Sequence, residues 1–514
     1  MSQGPLPFQY EAEKSDSTAT ALAGLPIFLD MAVAAGLPDS IRRHVRVREG
    51  TRGWTDVQMV LALVLLNIVG GSCVDDLRFL AGDEGFRRLL VRAENSLLTR
   101  PERRALARVL RRQGQRAVPS PSAAFRYLAR FHDTAQEVLR KATDVKAFIP
   151  APNEHLQGLA QVNADLLAFV QSRNPQTVAT LDQDATLVET TKADARFCYK
   201  NFKAYQPFNT YWAEHGVVLH TEFRDGNVPA GHEQLRVLFE ALDLLPEGVE
   251  KVRLRSDTAG YQHELLRACA EGKHPRFGVI DFTVSADVTD EFKKAVRDVD
   301  EEEWKRLTKL ESGYRAPTGQ EFAEIPYFPQ GSGSSKDRSP YRFIAIREVL
   351  EQRGLPSLDE EYQRRLPFQT IKLGQVHYKL FGIVTNLDWD DERLVHWHRE
   401  RCGKSEEAHS VMKGDLAGGR LPSSAFGANA AWWWMMILSM NLVTAVKRLA
   451  LGSSWVNRRM KALRFNLINI PGRVLEHARR LVVRIARSHP ALSLLLDARE
   501  RIAALLVPIP QPSG

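Results

Sequence analysis

The stretch TVATLDQDATLVETT, residues 177–191, decides the fold class of this chain. Threonine, valine and leucine dominate it, a composition that predicts a β-strand. Alternate residues of a strand face the same side, so Asp182 and Asp184 are expected to point to one face of a sheet. Such a strand has little structural reason to carry two acids, although a strand-end pair facing water is an alternative. The stretch therefore predicts a sheet with a candidate functional site.

Further strands and helices follow this stretch in alternation. The strand patterns are GVVLHTEF (216–223), KVRLRSD (251–257) and FGVIDFTV (277–284). Between them lie the helical patterns HEQLRVLFEALDLL (232–245) and YQHELLRACAEG (261–272). This order predicts a mixed α/β sheet.

The chain is too long for one compact core, and its pattern of apolar residues changes along its length. It has 514 residues, of which 44% are hydrophobic and 26% charged, so several domains are expected. The predicted fold class is multidomain α/β. The predicted order begins with an α-helical domain at 1–160, in which the arginine-bearing helices around Arg103 and Arg126 predict a DNA-binding face. A core at 175–285, a β-rich insertion with its own small unit at 286–376, the rest of the core at 377–450 and a basic α-helical tail at 451–514 follow.

A second candidate acid, Asp257, follows the strand pattern VRLRS. The carboxyl ends of strands are where α/β sheets place ligand groups. An N-cap for the next helix is the alternative role, because aspartate is common there.

A third candidate, Glu406, lies in RCGKSEEAHSVMK, residues 401–413. An acid in a first helical turn is also favoured by the helix dipole, and Glu407 competes for the role. Lys413, seven residues after Glu406, is predicted two turns along the same helix face, where it could contact a phosphate. His409 and Ser410 are predicted on that face as well.

Three such carboxylates predict a divalent-metal site. Hard cations such as Mg²⁺ take oxygen ligands, and two ions about 4 Å apart can hold both the attacking and the leaving oxygen of a phosphoryl transfer. We therefore expect two Mg²⁺ ions, with Mn²⁺ as an alternative.

Basic residues are concentrated in two patches, although the net charge is only +8. The first patch runs from residue 87 to 116, and the second from 447 to 487. Phosphate backbones would explain both, whereas solvated helix faces are the alternative. The residues predicted to bind DNA are Arg103, Arg104, Arg108, Arg111, Arg112, Arg126 and Lys413.

Cysteine usage and hydropathy indicate a cytoplasmic protein. Four scattered cysteines share no metal-binding spacing, and the N-terminus lacks a signal-peptide pattern. The apolar segment 425–446 carries polar residues and a central run of three tryptophans, which favours a buried helix over a membrane span.

Several motifs in a fixed order resemble the DDE transposases of bacterial insertion sequences, most closely insertion sequence family 1380. They are GWTDVQMVLALVLLNIVGGSCVDDLRFLAGD (53–83), LDQDAT (181–186), RLRSDTAGY (253–261), IVTNLDW (383–389), RCGKSEEAHSVMKGDLAGGRLPSSAFGANAAWW (401–433) and IPGRV (470–474). The resemblance implies an RNase H-like core interrupted by a β-rich insertion. It also implies cut-and-paste transposition by a homodimer bound to double-stranded transposon ends and target DNA, on the bacterial nucleoid.

The resemblance assigns roles to individual residues. Asp184, Asp257 and Glu406 become the three metal-binding catalytic acids, with Lys413 as the motif lysine. Asp182 is expected to support the site.

The family pattern places a tyrosine and an arginine before the glutamate, where this chain has Arg399 and Cys402; Arg401 is the substitute candidate, and Trp397 stands in place of the tyrosine. Trp304 and Trp389 are candidates for stacking on a flipped base. A stand-alone RNase H-like metal nuclease and a non-catalytic DNA-binding protein derived from a transposase are the alternatives.

Overall fold

The computed structural model of the chain describes residues 2–3, 9–10, 18–48, 53–96, 98, 100–112, 117–142, 147–311, 313–328, 341–350, 368–478 and 480–506. The strands are β1 Ser2–Gln3, β2 Gln9–Tyr10, β3 Ala19–Thr20, β4 Val178–Ala185, β5 Val188–Glu189, β6 Arg196–Phe197, β7 Lys203–Tyr205, β8 Phe208–Trp212, β9 Val217–Glu222, β10 Lys251–Ser256, β11 Asp281–Ala286, β12 Lys305–Glu311, β13 Tyr314–Ile325, β14 Arg342–Val349, β15 Gln369–Leu373, β16 Val376–Thr385, β17 Gly472–His477 and β18 Arg480–Arg484.

The helices are α1 Pro26–Ala34, α2 Leu37–His44, α3 Asp56–Val69, α4 Leu77–Gly82, α5 Glu84–Ser96, α6 Arg100–Arg112, α7 Pro121–Ala129, α8 Thr134–Ala142, α9 Glu154–Arg173, α10 Gln234–Asp243, α11 His263–Ala270, α12 Asp290–Arg297, α13 Asp391–Arg399, α14 Lys404–Ser410, α15 Phe426–Val446, α16 Ser453–Val456, α17 Met460–Leu463 and α18 Ala491–Ala504. Single π-helical turns, Val411–Asp415, Lys447–Leu451 and Arg464–Ile468, follow α14, α15 and α17.

A ten-stranded mixed sheet dominates the fold. Its central strands run in the order β9-β8-β4-β10-β11. The pairs β9–β8 and β8–β4 are antiparallel, and β4–β10 and β10–β11 are parallel. Parallel neighbours need crossover connections, and α10 and α11 lie in those crossovers. The prediction of a mixed α/β sheet is confirmed.

The segment 286–376 is β-rich, but its strands do not form a separate unit as predicted. In the described part of this segment, β12, β13 and β14 extend the main sheet beyond β16, which itself pairs with β11. Backbone pairing explains the difference, because β16 uses one edge for β14 and the other for β11 and β15. The alternation in the sequence predicted strands without specifying their partners.

Helix α15 forms the centre of the larger hydrophobic core. Every residue of α15 except Thr444 is buried, and α1, α3, α7, α9 and α18 contribute to the same core. Asn441 fastens α15 to β9, since its side chain accepts from the Val218 N–H at 2.9 Å and donates to Asn163 at 2.7 Å. The N-terminal helices and the core segment 377–450 therefore share one apolar interior.

Among the described residues, one helical stretch, Phe426–Leu451, is long and apolar enough to cross a membrane, but 78% of its most apolar window is buried inside the protein. The prediction of a buried helix for this segment is confirmed.

The opposite face of the sheet has its own core. Leu181 on β4 and Leu254 on β10 pack there with Leu238 of α10 and Leu265 of α11. Since residues alternate along a strand, the even-numbered neighbour Asp182 faces the other side, towards α13 and α14. This alternation positions the acids of β4.

The prediction of an entirely α-helical tail is wrong. Strands β17 and β18 form a hairpin, with Val474 opposite Val483, and β17 also pairs with β3. The N-terminal region is likewise not purely helical, because β3 belongs to this small sheet. The valines of RVLEHARRLVVR favour strands, a preference that the prediction of an α-helical tail did not take into account.

Candidate catalytic site

The structure brings Asp184 and Asp257 to the same edge of the sheet. Strands β4 and β10 are parallel, and Ser256 lies opposite Gln183. The next residues along the two strands are Asp257 and Asp184. Both carboxylates therefore lie at the carboxyl ends of adjacent parallel strands, where α/β sheets hold ligands.

The backbone at Asp257 turns sharply. Its side chain caps the 3₁₀ turn Thr258–Gly260, with Oδ1 accepting from the Ala259 N–H at 3.0 Å. The N-cap role considered from the sequence is thus real. A carboxylate has several lone pairs, so capping fixes the orientation of Asp257 without excluding a metal ligand role.

The surroundings of Asp184 disfavour the ionised form of its carboxylate. Burial is the main cause that raises its pKa, the charges of Asp257 and Asp182 add to the shift, Arg401 opposes it, and the resulting pKa is about 6. Its side chain is only 22% exposed. A bound cation would relieve this penalty, because an opposite charge favours the ionised form.

Asp182, two residues earlier on the same face, has a full ionic partner. Arg255 on β10 donates to both carboxylate oxygens, at 2.6 and 2.9 Å, and both side chains are almost completely buried. Arg255 also donates to the Trp397 carbonyl at 2.8 Å and lies over the Trp397 ring. Asp182 therefore joins β4, β10 and α13, in agreement with a supporting role.

Residues from α14 and its N-terminal turn approach Asp184. The Arg401 guanidinium lies 3.5 Å from Asp184 Oδ2, and His409 Nδ1 lies 4.0 Å from the same oxygen. The other ring nitrogen of His409 is 3.4 Å from the Asn209 amide. Burial, with repulsion from Lys413 and Arg401, lowers the pKa of His409 to about 4, so the ring is neutral at pH 7.

Arg401, the candidate substitute for the motif arginine, is paired with Asp184, whereas Cys402 is exposed. The role of Arg401 as that arginine stays a prediction.

Glu406 and Glu407 are both exposed in the first turn of α14 but differ in direction. Glu407 lines a cavity of about 230 Å³ with Tyr211 and Lys447. Glu406 precedes His409 by three residues, on the helix side that approaches Asp184. Within the described residues, no three His, Cys, Asp or Glu side chains are grouped closely enough to hold a metal ion, so Glu406 is not gathered with the two aspartates in this conformation.

Lys413 contacts the end of β4. Its ammonium donates to the Leu187 carbonyl at 3.2 Å. Burial lowers the pKa of Lys413, and repulsion from Lys200 adds to the shift. The residue lies in the π-helical turn Val411–Asp415, which alters the helical register assumed in predicting a shared face with Glu406.

Sequence reasoning missed Arg255 and Asn209. The signal for Arg255 was present, because Arg253 and Arg255 alternate with Val252 and Leu254 in KVRLRSD and must share one face. Asn209 carried no local signal, since only the pairing of β8 with β4 places it opposite Asp184.

The arginines predicted to bind DNA lie on α6 and α7. Arg103, Arg104 and Arg108 are exposed on α6, and Arg126 is exposed on α7. The side chains of Arg111 and Arg112 lie outside the described part of the chain. Exposure is compatible with phosphate binding and equally with a solvated face.

The two tryptophan candidates differ. Trp304 is buried, with the Arg347 guanidinium 4.1 Å from its ring centroid. Trp389 is partly exposed, and Arg253 and Arg393 lie over its ring at 4.9 and 4.0 Å. Stacking of a base on Trp304 would require it to leave the core.

Comparison with known proteins places this geometry in context. The family model described as Transposase DDE domain group 1 matches residues 10–507. No curated protein sequence matches the chain. The chain is similar in structure to a piggyBac transposase, solved by cryo-EM as a synaptic complex with hairpin DNA. That similarity has a TM-score of 0.40 and 11% identity, and covers 96% of this chain and 86% of the other.

Proposed function

The chain belongs to the family Transposase DDE domain group 1, and from this we propose that it is a DNA transposase that binds the terminal inverted repeats of an insertion sequence and catalyses metal-dependent strand cleavage and strand transfer. The observation that carries the proposal is the in-register placement of Asp184 and Asp257 at the ends of β4 and β10. Membership of insertion sequence family 1380 and an RNase H-like core are part of the proposal. The strand order β9-β8-β4-β10-β11 supports that core.

The donor set at this edge fits a hard divalent cation. Asp184 and Asp257 lie at the ends of adjacent parallel strands, and burial together with the charge of Asp257 raises the pKa of Asp184 to about 6. A bound pair of Mg²⁺ ions, or Mn²⁺ in their place, would supply the Lewis-acid chemistry that activates a water or a 3′-hydroxyl for attack on phosphodiesters. Asp184 and Asp257 would be ligands, and Glu406 the third.

Glu406 is exposed on α14, so its side chain can turn towards the two aspartates when metal and DNA bind. Arg401 holds Asp184 in place through their 3.5 Å ion pair. Lys413, next to the end of β4, would contact a phosphate close to the acids. Asp182 keeps β4 and β10 together through Arg255.

Cleavage of end-bearing DNA tests this proposal. The protein would be incubated with Mg²⁺ and a duplex that carries the inverted repeat of its own element, and products resolved on a denaturing gel. Wild type should cleave at the repeat, and Asp257→Ala should not. Equal cleavage by both proteins would remove Asp257 from the site.

A matched pair tests the third acid. Glu406→Gln should abolish cleavage, whereas Glu407→Gln, one residue further on the same exposed turn, should retain it. The reverse result would transfer the role to Glu407.

Two other functions predict different results in the same assays. A stand-alone metal nuclease would cut DNA without preference for the repeat. A non-catalytic DNA-binding protein would bind the repeat without cutting it. Inverted repeats closely flanking the gene favour the transposase over both.

The partners in this proposal are double-stranded transposon ends and target DNA, with a homodimer as the active unit. The protein would act in the bacterial cytoplasm, on the nucleoid. The exposed arginines Arg103, Arg104, Arg108 and Arg126 support DNA binding, because such side chains displace condensed counterions from phosphates. This part would be tested separately by measuring how repeat binding by the Arg103→Ala and Arg108→Ala variants depends on salt concentration.

A further inference from the structure

A small aromatic hairpin lies beside the candidate catalytic site. Strands β6 and β7 pair through Phe197 and Lys203. A tight turn joins them, in which the Asn201 N–H donates to the Cys198 carbonyl at 3.0 Å. Asn201 has a φ of +64°, a left-handed conformation that asparagine tolerates. This turn places Tyr199 and Lys200 at the tip.

The tip exposes two aromatic rings among cations. Tyr199 is 73% and Phe197 62% exposed. The Lys200 ammonium is 5.7 Å from the Tyr199 ring centroid, and the Lys203 ammonium is 5.9 Å from that of Phe197. Exposed rings of this size forgo the free energy of apolar burial, and their faces are available for a contact.

The hairpin is held firmly to the protein. Cys198 is buried beneath it, and the Arg196 guanidinium donates to the Arg140 carbonyl at 2.8 Å. Lys203 donates to the Ala193 carbonyl at 2.7 Å. Strand β7 also pairs with β5, which directly follows the strand that carries Asp184. These contacts fix the backbone that carries the two rings before any ligand binds.

Lys413 and the hairpin both contact the segment that follows β4, since Lys413 donates to the Leu187 carbonyl and the next two residues, β5, pair with β7. Repulsion from Lys200 contributes, after burial, to lowering the pKa of Lys413. Lys413 in turn contacts the Leu187 carbonyl, two residues after β4 ends, and its charge reaches His409 beside Asp184. The hairpin and Lys413 thus both adjoin the end of the strand that carries Asp184.

We propose that the β6–β7 hairpin binds unpaired nucleotides next to the cleavage position, with Tyr199 stacking on a base and Lys200 and Lys413 contacting the adjoining phosphates. Aromatic rings bind the faces of unpaired bases without regard to sequence, and nearby cations follow the backbone. In a duplex both faces of a base are covered by its neighbours, so Tyr199 would select frayed, overhanging or extruded nucleotides. This inference rests on the proposed function and specifies the DNA structure that the site receives.

Binding of two matched DNAs tests the hairpin. One duplex carries the element end with a short single-stranded overhang at the cleavage position, and the other is blunt. Affinity would be measured by fluorescence anisotropy with Ca²⁺ in place of Mg²⁺, and stacking by the emission of 2-aminopurine in the overhang. Wild type should prefer the overhang and change the 2-aminopurine emission.

Tyr199→Ala should weaken binding of the overhang DNA about tenfold, leave the blunt duplex nearly unchanged, and abolish the emission change. Tyr199→Phe, which keeps the ring, should behave as wild type. Lys200→Ala should weaken both DNAs and reduce the salt dependence of binding by about one ion. The control is Tyr314→Ala, which removes another exposed tyrosine, at the start of β13, and should change nothing.

Unchanged overhang binding in Tyr199→Ala would overturn the inference, as would equal weakening of both DNAs, which would indicate a structural role. A change of oligomeric state in Tyr199→Ala, detected by light scattering, would instead assign the rings to a contact between copies of the chain. Failure of the proposed function is distinguishable. Wild type that never cleaves end-bearing DNA, yet loses overhang preference on Tyr199→Ala, would retain the hairpin and reject the transposase.

Discussion

Asp182 and Asp184 lie two residues apart on one face of β4 but have opposite surroundings. Asp182 forms a buried, two-oxygen ion pair with Arg255. Asp184 has only Arg401 at 3.5 Å, a neutral His409, and the negative charge of Asp257 beside it. Burial raises the pKa of both acids, but Asp182 in the middle of the strand is paired through both of its oxygens, whereas Asp184 at the end of the strand is not.

This difference distinguishes a carboxylate that holds the fold together from one that can bind a metal ion. A carboxylate that the protein already neutralises has little capacity for a metal ion, and its removal leaves a buried cation without a partner. A carboxylate that is buried and poorly neutralised destabilises the fold but can bind a cation strongly. The same residue type on the same strand face is thus expected to respond to mutation in opposite ways.

The largest expected effect is on cleavage. Asp184→Asn should lower the rate of end cleavage by about a thousandfold or more, because metal-ion catalysis contributes several kcal/mol to stabilisation of the transition state. Quantitative cleavage assays at saturating Mg²⁺ measure this. Repeat binding by the variant should persist, and a variant that cleaves normally would contradict the site.

The free energy of unfolding should respond most to substitution of Asp182. Asp182→Asn leaves the buried Arg255 with only the half-exposed Glu400 as an ionic partner, so the free energy of unfolding should fall by about 3–5 kcal/mol. Urea unfolding followed by tryptophan fluorescence measures this. The double variant Asp182→Leu with Arg255→Met removes both charges and should recover most of the loss. An unchanged single variant would show that the pair contributes nothing.

Asp184→Asn should change stability in the opposite direction, and only at higher pH. The pKa of Asp184 is raised to about 6 in the folded protein, from 3.8 for an ordinary aspartate. The protonated form therefore stabilises the fold at low pH, and this contribution is lost as the pH rises through 6.

Above that pH, the neutral asparagine should raise the free energy of unfolding by up to about 3 kcal/mol. Metal-free thermal unfolding at pH 8 and pH 4 measures the difference. A similar gain at both values would rule out ionisation as the cause. Added Mg²⁺ should reverse the order at pH 8 by stabilising the wild type alone.

The smallest effect concerns the pH dependence of cleavage. Protons compete with metal for Asp184, so the rate should rise with pH through about 6. Arg401→Gln removes the cation that opposes the shift and should move this rise upwards by about one pH unit. The exposed Lys404, the first residue of α14, offers a control, since Lys404→Gln should leave the profile in place. Identical profiles for wild type and Arg401→Gln would show that the ion pair has no electrostatic role.

Much of the site could be predicted from short patterns. The acids of LDQDAT and the acid after VRLRS were identifiable because period-two alternation and strand ends are local properties. The partners of those acids were not, because Arg255, Arg401, His409 and Asn209 reach Asp182 and Asp184 only through strand pairing and helix packing. The hairpin in the tail and the attachment of β12–β14 to the main sheet depend in the same way on which strand edges meet.

By itself the sequence determined the mixed α/β class, the buried apolar helix α15 and the acids placed at strand ends. These follow from hydrophobic periodicity and residue chemistry, which act over a few neighbouring residues. Only the tertiary structure decided which acid is neutralised and which is not. Charges interact through space over several ångströms, so the pairing of β4 with β10 gave Asp182 its arginine and set Asp257 beside Asp184.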